Sequence, residues 1–117
     1  IDAVIPVPLH YGKKLKRGYN QAEMLAAGIS DVIGITVFPN VLKRTKRTKS
    51  QTKKSRYERW KNVSSVFAVN PKPAIYPKHI LLVDDVITTG ATAEACIACL
   101  TAEFACKVTV VSLARAA

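Results

Sequence analysis

The residues best equipped for chemistry stand in one run, Val83-Asp84-Asp85-Val86-Ile87-Thr88-Thr89-Gly90-Ala91-Thr92. Aliphatic residues precede it, so the order reads strand, then hydroxyls and a glycine, then a helix start. Such a turn offers backbone N–H groups and threonine hydroxyls to an anion at the positive end of a helix dipole. Thr88, Thr89, Gly90, Ala91 and Thr92 therefore form a candidate phosphate cradle. It has neither GxxxxGK nor GxGxxG, which excludes the two common nucleotide loops. Asp84 and Asp85 narrow the ligand further. Two carboxylates beside a phosphate repel it unless sugar hydroxyls or a divalent cation lie between and use them as acceptors. Phosphate, diol and metal together describe a ribose 5-phosphate. The plainer reading of the same residues is a strand, a turn and a capped helix with two solvated acids.

Charge is regional. The 117 residues carry 18 Lys+Arg against 8 Asp+Glu, a net +10 that favours a polyanionic partner. Lys13, Lys14, Lys16 and Arg17, with ten basic residues from Lys43 and Arg44 to Lys61, make up 14 of the 18. Either run could face a phosphate, or could simply be solvated loop.

The elements that must position these groups follow from the apolar pattern. Ala3 to Val7 reads as a buried strand ended by Pro8, and a loop carries His10 to Gly18. Asn20 can cap a helix with Ala22, Leu25, Ala26, Ile29 and Ile33 on one stripe. Ile35 to Leu42 reads as a strand bent at Pro39, and the basic run as a long loop with a short helix near Tyr57 and Trp60. Val66 to Val69 is a further strand, and Pro71, Pro73 and Pro77 mark an extended connector. Ile80 to Asp84 is a strand buried on both faces, a helix runs from about Ala91 to Ala105, and Val108 to Leu113 is the last strand. Strands separated by helices imply an α/β fold, an open and mainly parallel sheet with helices on both faces. Ligands of such sheets collect beyond the C-terminal strand ends, which puts the loops after Val7 and Val83 on one edge.

Size and composition bound the rest. The chain is long enough for one domain, and 49% hydrophobic residues suit a globular core. The longest aliphatic run, Ile80 to Val83, is far short of the ~20 residues of a membrane span, so no membrane insertion and a cytoplasmic location are expected. Three cysteines, Cys96, Cys99 and Cys106, are odd in number and fit a reducing compartment. The C-x-x-C of Cys96 and Cys99 has no second pair and reads as small helix side chains rather than a metal or redox site. His79 precedes a strand and reads as structural; His10 reads as a loop residue more readily than as an acid or base. Ile1, not Met, opens the chain, so upstream sequence is expected.

The run from Val83 to Thr92 resembles the phosphoribosyl-diphosphate motif of type I phosphoribosyltransferases. Val7-Pro8-Leu9-His10, Arg17-Gly18-Tyr19-Asn20-Gln21-Ala22, Gln51, Glu58-Arg59, Asn62, Phe67 and Leu113-Ala114-Arg115 resemble, in that order, the ComF family, competence proteins similar to amidophosphoribosyltransferases. The phosphoribosyl motif is specific for the superfamily; the other matches persuade only in sequence. The resemblance implies one phosphoribosyltransferase-like domain over 1–117. It implies that Asp84 and Asp85 meet the ribose hydroxyls and Mg2+, in part through water, while Thr88 to Thr92 hold the 5-phosphate. Leu9, His10 and Tyr11 would meet the diphosphate, with a strained peptide between Pro8 and Tyr11. Lys16, Arg17, Lys43 and Arg44 would add positive charge near the leaving group. Relatives usually carry an N-terminal zinc-binding segment, expected to lie before this chain. The function implied is transfer of phosphoribosyl to an acceptor no motif names. The alternative is a non-catalytic module that senses a ligand or binds single-stranded DNA or DNA-uptake proteins.

Overall fold

The most apolar run is the middle of the sheet. A computed structural model describes residues 1–9, 20–45, 66–70 and 75–116. Within them, β1 (Ala3–Pro6), β4 (His79–Ile87) and β5 (Lys107–Arg115) form a parallel sheet in the order β1-β4-β5. Two helices, α1 (Gln21–Ile33) and α2 (Ala91–Glu103), cover it. Because β4 is the central strand and a helix covers each face of it, Ile80, Leu82 and Val83 are wholly buried, which is why its side chains do not alternate with polar ones.

Alternate residues of β1 and β4 face different helices. Val4, Leu81 and Val83 pack with Ala26, Leu25 and Ile29 of α1, whereas Ile5, Ile80 and Leu82 pack with Ala95, Cys96 and Leu100 of α2. The helices thus lie on opposite faces, as the pattern predicts. Asn20, in extended conformation, accepts the Ala22 N–H on its side chain and starts α1. Gly34 ends it at φ 72°, a left-handed position cheap only for glycine. Ile33, expected on the buried stripe, is 43% exposed where the helix runs out.

Several boundaries differ from the sequence reading, the last strand's among them, since it runs Lys107–Arg115 rather than Val108–Leu113. Ile35 to Leu42 is not one bent strand. Val37 alone bridges Val4, the chain turns at Pro39 and Asn40, and extended structure resumes in β2 (Leu42–Arg44), which pairs antiparallel with β3 (Phe67–Val69). Pro39 has no N–H for a ladder, so the pairing breaks there. The strand expected at Ile80–Asp84 continues to Ile87 because β5 stays in register with it as far as Ile87 and Arg115. The last helix stops at Glu103, since Phe104 is already extended.

The β2–β3 hairpin packs on the α2 side through Leu42 and Phe67. Arg44 lies over the Phe67 ring, 4.7 Å from its centroid, and its Nε donates to the Pro8 carbonyl at 3.4 Å. A hairpin far from the sheet in sequence is thereby anchored beside the exit of β1. Among the described residues no helix is long and apolar enough to cross a membrane.

Candidate functional site

The site opens where β4 outruns β1. The last β1 pairing is Pro6 with Val83, so from Asp84 onward β4 keeps a neighbour on the β5 side alone. A crevice at the C-terminal edge of a parallel sheet follows from that mismatch. It is an open concavity lined by Asp84, Thr88, Gly90 and Thr92, with Val86, Ile87 and Ala93 between them.

Gly90 builds the turn. It is the N-cap of α2 at φ 87°, a conformation that β-carbon-bearing residues rarely adopt, and it has no side chain of its own to cap the helix. The Thr89 hydroxyl accepts the Ala91 N–H at 3.3 Å. Thr89 and Ala91 are therefore occupied with each other rather than lining the concavity. Of the predicted cradle, Thr88, Gly90 and Thr92 are brought together around one space with Asp84.

The acids are strand residues, not turn residues. Asp84 Oδ1 accepts the Asp85 N–H at 2.8 Å, and Asp85 Oδ1 accepts the Val86 N–H at 2.8 Å. Asp84 is half-buried; Asp85 stands next to it outside the lining of the concavity. Loss of water around Asp84, the hydrogen bond from its side chain to that of Asp85, and repulsion by the neighbouring charge push its pKa up to about 6. The Asp85 N–H and the positive charge of Arg44 pull the other way without cancelling this.

A pH dependence follows. A carboxyl with a raised folded-state pKa contributes stability that is complete below about pH 4 and lost as pH rises through about 6. Asp84→Asn is therefore expected to be more stable than the parent at pH 7.5, by about 1 kcal/mol once solvent screening is discounted, and equal to it near pH 4. Urea unfolding of both proteins at the two pH values checks this; a gap independent of pH would show that the carboxyl is not disfavoured.

The remaining predicted residues divide. Leu9 is half-buried just past β1, Lys43 is exposed on β2, and Arg44 is half-buried within electrostatic reach of Asp84. His10, Tyr11, Lys16 and Arg17 lie outside the described residues, as do Tyr57 and Trp60; so does most of the stretch expected to hold a strained peptide. His79 opens β4 and places Nε2 2.7 Å from the Thr109 hydroxyl, at the far end of the sheet from the crevice. Cys96 is buried in the core, where loss of water pushes its thiol up to about 12, so it stays protonated and unreactive at neutral pH. Among the described residues no three His, Cys, Asp or Glu side chains stand together as a metal cage.

Sequence reasoning missed Val86 and Ile87 as walls of the concavity. Their β-branched side chains after the acids were the signal that the strand continues. It also gave Asn20 one role where the structure gives two: Oδ1 caps α1, and Nδ2 donates to the Val7 carbonyl at 3.2 Å.

No protein-family model matches the chain, and no solved structure matches it. Curated proteins do. The chain is 39% identical over 92 residues to Competence protein F of Haemophilus influenzae, covering 78% of this chain and 40% of that protein. It is 31% identical over 91 residues to the DNA utilization protein YhgH of Escherichia coli O157:H7 and of Shigella flexneri, covering 78% of this chain and 39% of each. The chain thus spans about two fifths of the length of the curated relatives it matches. Their identity to this sequence over most of its length means that the chain belongs to the ComF family of competence proteins.

Proposed function

We propose that the chain is a type I phosphoribosyltransferase-like domain that binds phosphoribosyl diphosphate with Mg2+ and transfers phosphoribosyl to an acceptor, within a protein serving competence or DNA utilization. The observation that carries this reading is the convergence of Asp84, Thr88, Gly90 and Thr92 on one concavity where β4 outruns β1. Hydroxyl acceptors and phosphate donors then face the same space, as a phosphorylated sugar requires.

The acid pair fits a magnesium ion. Each carboxylate gives one oxygen to a backbone N–H, which fixes its direction and leaves the group with further acceptor capacity. Mg2+ keeps several waters and is usually held by one or two carboxylates plus ligand phosphates, so two acids without a third ligand suit it. Asp84 and Asp85 would hold it, and the chemistry it supplies there is charge neutralisation at the leaving diphosphate.

In the transfer, the bond from C1 of the ribose to the diphosphate oxygen breaks and its electron pair leaves with the diphosphate. The acceptor's lone pair forms the new bond to C1. Positive charge develops on the sugar meanwhile, so Asp84 and Asp85, holding the ring hydroxyls, lie on the favourable side of it. Thr88, Gly90 and Thr92 anchor the 5-phosphate and stop the sugar from turning. No strong base is required to begin.

A second reading rests on the net charge of +10, which suits single-stranded DNA and a non-catalytic role. Calorimetric titration separates the two. Phosphoribosyl diphosphate is expected to bind only with Mg2+ present, and any DNA binding to weaken steeply with salt. Donor binding indifferent to Mg2+, or none at all, would refute the enzyme reading.

A further inference from the structure

Between Lys107 and Arg115 the chain reads VTVVSLA, with Val108, Thr109, Val110 and Val111 β-branched and neither a charge nor a proline among the seven. That composition builds a strong strand but carries none of the devices, such as a central lysine or proline, that usually blunt a sheet edge. β5 nevertheless stands at an edge. β4 pairs with one side of it, and among the described residues no strand pairs with the other. Val108 and Val110 pack on the α2 side of the sheet and Val111 on the α1 side, so the strand is held from both faces.

The ladder decides which backbone groups face outward. The Lys107 N–H donates to the Lys78 carbonyl at 2.9 Å, and in a parallel pair alternate residues turn their N–H and carbonyl groups to the same neighbour. Lys107, Thr109 and Val111 therefore address β4, whereas Val108, Val110 and Ser112 direct theirs away from it. A row of such groups on a rigid strand is a template for one more strand. Charge chooses the occupant. Lys107 and Arg115 stand exposed at the two ends of β5, which carries no acid. A second copy laid on this edge, antiparallel or parallel, sets cation against cation at both ends, and like charges directly opposite destabilise a strand pair. The net charge of +10 adds general repulsion between copies.

We infer that the outer edge of β5 is a docking site for an extended segment of a partner protein, which adds to the sheet as a further strand and carries acidic residues at both ends, opposite Lys107 and Arg115. Backbone hydrogen bonds to Val108, Val110 and Ser112 supply the attachment, and the two cations select against basic or self-derived strands. Such docking is independent of the phosphoribosyl diphosphate reading.

The probe is a synthetic peptide of the length of β5, alternating threonine and valine with a glutamate at each end, compared with the same peptide ended by lysines. Amide exchange of the full chain, read residue by residue by NMR, is expected to slow about tenfold at Val108, Val110 and Ser112 when the glutamate peptide stands at about ten times its Kd, and to stay unchanged at Thr109 and Val111. Val110→Pro removes one outward N–H and none that β4 receives, so it is expected to abolish the slowing. Lys107→Glu combined with Arg115→Glu is expected to transfer the preference to the lysine-ended peptide, and it keeps the test decisive should the proline variant fail to fold. Slowing by both peptides alike, or by neither, would overturn the inference. So would slowing at the same amides in the parent alone as its concentration rises, which would make the occupant a second copy.

Discussion

Asp85→Asn is expected to reduce Mg2+-dependent binding of phosphoribosyl diphosphate by about a hundredfold or more, since removing one charge from a two-carboxylate site forfeits a charge-assisted contact and cation affinity together. The fold should survive. The amide oxygen of Asn can still accept the Val86 N–H that Asp85 Oδ1 takes at 2.8 Å, and the residue is not part of the buried core. Loss of the neighbouring charge also removes one of the causes that raise Asp84, so that carboxyl becomes easier to ionise. Binding of single-stranded DNA should be unchanged or slightly tighter, because a negative charge has been deleted from a chain of net charge +10. Calorimetry with the donor and salt-dependent DNA binding on the same preparation separate these effects. Normal donor affinity in the variant would remove the acid pair from the site and the transferase reading with it.

The groups this experiment addresses are legible in the sequence alone, for a physical reason. A strand, an acid pair, hydroxyls and a glycine are local features, and local spacing decides which of them can reach a common ligand. Asp84, Thr88, Gly90 and Thr92 accordingly share one concavity, while Asp85, Thr89 and Ala91 stand outside its lining. The parallel order of the sheet was legible too, because ILLV without polar alternation demands cover on both faces. What was not legible depends on contacts between distant segments. Nothing near Ile80 says that β1 stops opposite Val83 while β5 continues to Arg115, yet that mismatch of lengths opens the crevice. Arg44 is one of ten cations in its run by sequence, and only the hairpin with Phe67 sets it apart from Lys43. The strand expected over Ile35–Leu42 does not form as one element because Pro39 has no N–H to carry the ladder on, whatever the β-propensity of the apolar residues around it.

Leu82→Ala is expected to cost about 2–5 kcal/mol, the range for emptying a leucine site in a close-packed core. Leu82 is wholly buried at the centre of the sheet, in the same cluster as Ile5, Cys96 and Leu100, so no solvent can relax into the space and the neighbours are held by β1 and α2. Set against the ~5–15 kcal/mol that keeps a small domain folded, this is a large fraction. Thermal melting should fall by roughly 10–20 °C in consequence. Leu113→Ala is the control: that side chain is 76% exposed on β5, and its removal should stay within about 0.5 kcal/mol. The comparison bears on function as well, because Leu82 lies two residues ahead of Asp84 on β4, and whatever loosens the packing of α2 against that strand loosens the turn that joins them. Circular dichroism melts of the two variants test it. A loss under about 1 kcal/mol at Leu82 would mean that α2 does not seal that face of the sheet, and the crevice built on their junction would lose its floor.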